Sequence, residues 1–132
     1  MRLAGRANIG ALVSFVGQVR DINDGDTISA LTLEHYPEMT EKALAAIENE
    51  AKLRWDIIDS LIIHRVGTLK PLDQIVLVAI SSAHRGEAFK ACEFIMDYLK
   101  TSAPFWKKEV TNDGERWVEA KLADDEAKER WE

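Results

Sequence analysis

Cysteine is nearly absent from this 132-residue chain: Cys92 is the only one. A single thiol excludes an internal disulfide and any cysteine cluster that could hold zinc or iron–sulfur, and it fits a reducing compartment. Long apolar runs are missing as well. No stretch approaches the roughly 18 residues needed to span a bilayer, and Met1 to Gly10 carries Arg2 and Arg6 but no apolar segment of signal-peptide length. The expected setting is therefore the cytoplasm, with no membrane association. Positive charge is in short supply: 17 Lys and Arg face 23 Asp and Glu, a formal net charge of -6. That balance argues against a general affinity for nucleic acid, so a basic site must be built locally from specific residues. The chain contains no P-loop, no GxGxxG, no carboxylate pair, no Ser–His–Asp arrangement, no metal-ligand spacing, no repeat and no linker.

What remains suits one domain spanning residues 1–132, long enough to bury about two-thirds of the surface exposed when unfolded. Hydrophobic residues at 46% and charged residues at 30% are the balance of a globular protein. Ile9 to Val19 is short, apolar and β-branched and reads as a strand. Asn23-Asp24-Gly25-Asp26 is a turn, and Ile28 to His35 alternates as a second strand that Pro37 ends. Leu44, Ile47, Ala51 and Trp55 form one apolar stripe on a helix from Thr40, its expected N-cap, to Arg54. Ser60 to Val66 is a third strand. Gln74 to Ser82, apolar on both faces, is a central fourth. Gly86 to Lys100 is a second helix, with Phe89, Cys92, Ile95 or Met96, and Leu99 expected on its buried side, and Pro104 stopping it. Phe105 to Val110 and Arg116 to Ala120 flank Asn112-Asp113-Gly114 as a hairpin. The charged tail from Leu122 to Glu132 is a short helix or a frayed end. This order describes an α+β domain.

Three segments can carry chemistry. Gly17-Gln18-Val19-Arg20 releases an arginine from a strand end, where its fork can hold a phosphate; a surface arginine paired with Asp21 or Asp24 is the plainer alternative. Ser81 to Gly86 places His84 and Arg85 between a central strand and a helix start, where backbone N–H groups attract anions. Lys100 to Lys108 puts Lys100 at a helix C-terminus and Lys107 on the returning strand. Pro104-Phe105-Trp106 between them is an aromatic wall able to desolvate neighbouring ammonium groups, although a lysine at a helix end also suits the dipole without any function. His35 and His64 read as core or edge histidines, and Cys92 as an inert thiol on a buried stripe. The residues by themselves support an α+β domain with a candidate anion site.

Longer strings go further. FVGQVRD (Phe15 to Asp21), LTLEHYPEMTEKAL (Leu31 to Leu44), IHRVGTLKPLDQIVLVAISSAHRGEAF (Ile63 to Phe89), FIMDYLKTSAPFWKKE (Phe94 to Glu109) and GERWVEA (Gly114 to Ala120) closely resemble the large, catalytic subunit family of molybdopterin synthase. The resemblance covers nearly the whole chain. It implies an α/β hammerhead fold with an additional antiparallel sheet. It implies an enzyme that installs two sulfurs on cyclic pyranopterin monophosphate, forming the dithiolene of molybdopterin. The sulfur comes from a thiocarboxylate on the C-terminal Gly-Gly of a ubiquitin-like small subunit, so no cofactor and no metal is expected in this chain. The assembly implied is a homodimer of large subunits with a small subunit at each end, a heterotetramer.

Carried over by position, the catalytic residues implied are Lys100 and Lys107. The substrate-binding positions are Gln18, Val19, Arg20, His84, Arg85, Lys100, Lys107, Lys108 and Glu109. Arg20, His84 and Arg85 are expected on the phosphate and pterin, Lys100 on the oxyanion formed as the acyl group is transferred and hydrolysed and as a proton donor or acceptor, and Lys107 on charge stabilisation and tail docking. Gln18 replaces a lysine common in the family, Gly86 replaces a larger residue, and the short N-terminus is expected to reduce an edge strand or dimer contact. A single buried cysteine cannot easily run a sulfur relay, in keeping with an external donor. The rival readings are a non-catalytic module that docks a ubiquitin-like tail or a phosphorylated pterin, and an unrelated phosphate-binding protein. Co-purification with a small protein ending in Gly-Gly separates them.

Overall fold

The structure, a computed structural model, describes residues 7–23, 25–101, 105–118 and 122–132. Its elements are β1 (Ala11–Gln18), β2 (Ile22–Asn23), β3 (Asp26–His35), α1 (Pro37–Arg54), β4 (Ile57–His64), β5 (Gly67–Leu69), β6 (Gln74–Ser82), α2 (Arg85–Thr101), β7 (Phe105–Thr111), β8 (Gly114–Val118) and α3 (Leu122–Glu129). The mixed α+β architecture matches the expectation. Arg2, Arg6 and the rest of the N-terminal segment 1–6, Asp24, Pro104 and the segment 119–120 lie outside the described residues.

Two antiparallel sheets organise the chain. The first has the order β1-β6-β4. β6 is central because both of its faces are apolar, and Val78 and Ile80 are fully buried within it. The inner face of this sheet carries α1 and α2, and the main core gathers Val78, Ile80, Ala88, Ala91, Phe94 and Ile95. Phe94 is its aromatic centre, 5.3 Å from the Trp55 ring and 4.5 Å from Tyr98. The outer face carries the opposite members of each strand, so Val16, Leu77 and Ile63 share a cross-strand row. Leu12, Val16 and Ile63 are about half exposed there.

The second sheet has five strands. β3 pairs β7 along one edge, and β2 and β5 pair the two ends of its other edge; β8 extends β7. Val19, Leu31, Leu33 and Leu69 form its small core, and Ile75 packs against both cores. Ile75 thus marks the junction between the sheets.

Several local expectations are revised. α1 starts at Pro37, not Thr40, with Tyr36 as N-cap; proline is suited to a first turn because its missing N–H would be unpaired there. Thr40 is buried inside the helix, and its hydroxyl finds no partner among the described residues. Phe89 is 60% exposed rather than buried, while Ala88, Ala91 and Phe94 take the inner stripe of α2. β2 and β5 are too short to show as alternating runs. The tail forms α3, and Trp131 beyond it donates its indole N–H to Asp97 at 2.7 Å and packs edge-on against Trp55 and Phe94.

Candidate active site

Two adjoining cavities, of about 460 and 420 Å³, open where the two sheets meet the C-terminal end of α2. Gln18, Arg20, Ile75, Lys100, Phe105 and Lys107 line both. Each arrives by a local rule. Gln18 closes β1 and Arg20 follows it. Between them Val19 is buried, its N–H donating to the Asp73 carbonyl at 2.9 Å while its own carbonyl accepts from Leu72. That backbone clamp fixes where the arginine leaves the strand. Arg20 reaches Asn23 at 3.5 Å, a long contact that leaves most of its fork unengaged among the described residues.

Lys100 is the penultimate residue of α2, where a cation suits the negative end of the helix dipole. Lys107 sits on β7 opposite Leu33. Alternation along β7 separates the aromatic pair and the lysine pair. Phe105 and Lys107 face the cavities, whereas Trp106 is exposed and Lys108 turns away to pair with Glu115 at 3.5 Å and lie over the Trp117 ring. Lys108 lines neither cavity. Glu109 lines the first one and is 5% exposed. Its carboxylate accepts from Arg116 at 3.0 Å and from the Asn23 amide, and Arg116 continues to Asp26 at 2.6 Å. Glu109 is thus the anchor of a wall that holds β2, β3, β7 and β8 together, and the hydrogen bonds of Arg116 to Glu109 and then Asp26 raise the arginine's pKa.

His64, at the end of β4, lines the second cavity with Lys100 and Lys107. Its ring lies on Phe105, with centroids 3.8 Å apart and planes 14° apart, and His35 flanks the same phenyl at 6.2 Å. Burial lowers the His64 pKa below its ordinary 6.5, and Lys107, His35 and Lys100 push in the same direction. Only its hydrogen bond to the Arg65 carbonyl opposes them.

His84 and Arg85 are elsewhere. They stand exposed at the N-terminus of α2 and line neither cavity. Arg85 and Lys100 lie at opposite ends of the 17-residue helix, which at about 1.5 Å per residue separates them by about 22 Å along the axis. One chain therefore brings together Gln18, Val19, Arg20, Lys100, Lys107 and Glu109, and leaves His84, Arg85 and Lys108 outside that cluster. His64, expected as a core or edge histidine, and Asn23, expected only as a turn residue, also line these cavities. No spacing marks them: His64 reaches the lysines across the junction of the sheets, and Asn23 through β3, which lies between β2 and β7. Among the described residues there is no cluster able to hold a metal ion and no helix long and apolar enough to cross a membrane.

Arranged this way, a cationic and partly apolar cavity can bind an anionic ring compound and stabilise negative charge that develops on it. Comparison with known proteins gives this geometry a family. The model of the MoaE protein family matches residues 1–102. The molybdopterin synthase catalytic subunit of Ralstonia nicotianae is 66% identical over 97% of this chain and 73% of its own length. That of Haemophilus influenzae is 62% identical over 98% and 86%. Among solved structures, the molybdopterin biosynthesis MoaE protein of Burkholderia ambifaria is 62% identical, with a TM-score of 0.78 over 93% of this chain and 80% of that one. Molybdopterin synthase of Staphylococcus aureus is 39% identical, with a TM-score of 0.81 over 86% and 83%. This chain belongs to the MoaE family, the family of molybdopterin synthase catalytic subunits.

Proposed function

We infer that this chain is the catalytic subunit of a cytoplasmic molybdopterin synthase, converting cyclic pyranopterin monophosphate to molybdopterin with sulfur from the C-terminal thiocarboxylate of a ubiquitin-like small subunit. The observation that carries the reading is the convergence of Arg20, Lys100 and Lys107 on one junction cavity in a chain of net charge -6. A phosphate-bearing pterin and an acyl tail that passes through an oxyanion both call for fixed cations at one place. Arg20 takes the phosphate. Lys100 faces the acyl oxyanion, and Lys107 adds charge and helps seat the tail. The side of the second cavity lined by Phe15, Met96 and Leu99 offers the tail an apolar groove. Gly17 helps keep it open: a side chain there would meet Val76 at 2.9 Å. Cys92 takes no part; burial, helped by the Glu93 charge, pushes its thiol up to about 11, which makes it a poor sulfur carrier.

His84 and Arg85 enter from a second copy. β1 and β6 run antiparallel, so Ala11 lies opposite Ser82 and Gln18 opposite Gln74. The His84 end of the first sheet is therefore far from its Gln18 end. A two-fold axis crossing the half-exposed apolar face of Leu12, Val16 and Ile63 lays the His84 end of one sheet over the Gln18 end of the other. Each lysine cavity then receives the histidine and arginine of its mate.

The test is dithiolene formation by Lys100→Ala and Lys107→Ala, each with the thiocarboxylated small subunit. Loss of one oxyanion-stabilising donor costs about 10²–10³ in rate, and near-normal product from both variants would refute the assignment.

A further inference from the structure

The sulfur-transfer reading leaves one chemical need without a residue. An ammonium group stabilises an oxyanion but has no lone pair with which to take a proton. The Glu109 carboxylate is occupied by Arg116 and Asn23. His64 is different. Its Nδ1–H donates to the Arg65 carbonyl at 2.8 Å, and because a carbonyl can only accept, this bond fixes the tautomer and leaves the lone pair on Nε2. Nε2 makes no hydrogen bond among the described residues, and the ring lines the cavity that holds Lys100 and Lys107. Phe105 holds the ring plane by stacking at 3.8 Å. Burial and the nearby lysines keep the imidazole uncharged at neutral pH. A neutral, oriented imidazole with a free basic nitrogen is what a general base requires.

We propose that His64 is the general base for the hydrolytic step of the reaction, a role that rests on the sulfur-transfer reading above. Once the thiocarboxylate sulfur has bonded to a pterin carbon, the tail's acyl group remains on that sulfur as a thioester. A water oxygen then bonds to the acyl carbon while His64 Nε2 takes one of its protons. The carbon–sulfur bond to the tail breaks, and its electron pair stays on sulfur as the thiolate of the nascent dithiolene. The tail leaves as a carboxylic acid, which loses its proton to solvent, and the His64 imidazolium returns its own proton the same way. Lys100 holds the tetrahedral oxyanion between these events.

The test is a rapid-quench single turnover with the thiocarboxylated small subunit and cyclic pyranopterin monophosphate, read by intact-mass spectrometry, for wild type, His64→Gln and His64→Phe. The expected result is that both variants form the pterin–small subunit thioester at the wild-type rate but hydrolyse it about 10²–10⁴-fold more slowly, so the adduct accumulates. His64→Phe keeps an aromatic ring against Phe105, which separates lost basicity from lost packing. Wild-type hydrolysis should also fall as acid protonates the imidazole, a limb absent from the residual rate of either variant. Hydrolysis at the wild-type rate in either variant overturns the proposal. So does equal slowing of both steps with no adduct, which is the signature of a structural role. A wild-type protein that forms no dithiolene overturns the sulfur-transfer reading and this proposal with it, whereas normal wild-type turnover with unaffected variants overturns only the base.

Discussion

If His84 and Arg85 serve the mate's cavity, two dead enzymes should make a live one. Arg85 and Lys100 lie about 22 Å apart along α2, and Arg85 lines neither cavity of its own chain. The perturbation is to co-express two differently tagged copies, one carrying Arg85→Ala and the other Lys100→Ala. Each parent homodimer lacks one essential group in both sites and should retain about 1% of wild-type turnover or less. In a mixed dimer, one site receives both mutated positions and the other receives neither. Dimers purified through both tags should therefore show about half the wild-type rate, and an unfractionated random mixture about a quarter, as two-fold symmetry requires. The assay is dithiolene formation with saturating thiocarboxylated small subunit. Mixed dimers no more active than their parents would refute completion in trans and place Arg85 in the site of its own chain.

Phe94 is fully buried beside Trp55, Tyr98 and Trp131. Phe94→Ala should cost about 3–5 kcal/mol, a fall in melting temperature of about 12–20 °C for a domain of this size. Calorimetry at fixed protein concentration checks it, and a drop below about 5 °C would mean the aromatic cluster is not the stabilising centre. Cys92, with its thiol pushed up to about 11, should resist disulfide reagents at pH 8 in the native protein and react at once in denaturant. Fast native labelling would contradict its burial. His64 titrates below 6.5 in the fold because burial, Lys107, His35 and Lys100 all disfavour its charge. As pH falls through 6.5 the unfolded chain gains a proton that the native one resists, so stability is lost on acidification. Urea unfolding at pH 8 and pH 5.5 should show a smaller acid loss in His64→Gln than in wild type, and an equal loss would contradict this origin.

Much of this arrangement is legible along the chain. The doubly apolar run Gln74 to Ser82 announces a central strand, and the Asn112-Asp113-Gly114 turn announces the β7–β8 hairpin, because both signals are local. Lys108 and Trp106 are expected from sequence beside Lys107 and Phe105, but the alternation of β7 turns them to the other face, away from the cavities. Thr40 misleads because Pro37 can already open the helix, so the better capping residue ends up inside it. Phe89 misleads because smaller residues let α2 approach the sheet closely, and the inner stripe rotates onto Ala88 and Ala91. His64 and Glu109 could not be placed. His64 meets Phe105 only where the two sheets come together, which no window of sequence contains, whereas Glu109 and Arg116 are opposite residues of the hairpin whose register the turn alone does not give. His84 and Arg85 sit beside the site in the string of motif residues yet at the far end of a helix in space.

Reconstitution separates an enzyme from a docking module: the purified chain, a thiocarboxylated Gly-Gly small subunit and cyclic pyranopterin monophosphate, with the dithiolene product measured over time. Wild type should give product at two sulfurs per pterin, and Lys100→Ala should lose about 10²–10³ in rate. Tight binding of both ligands with no sulfur transferred by the wild-type chain would contradict catalysis and leave a docking module in place of an enzyme.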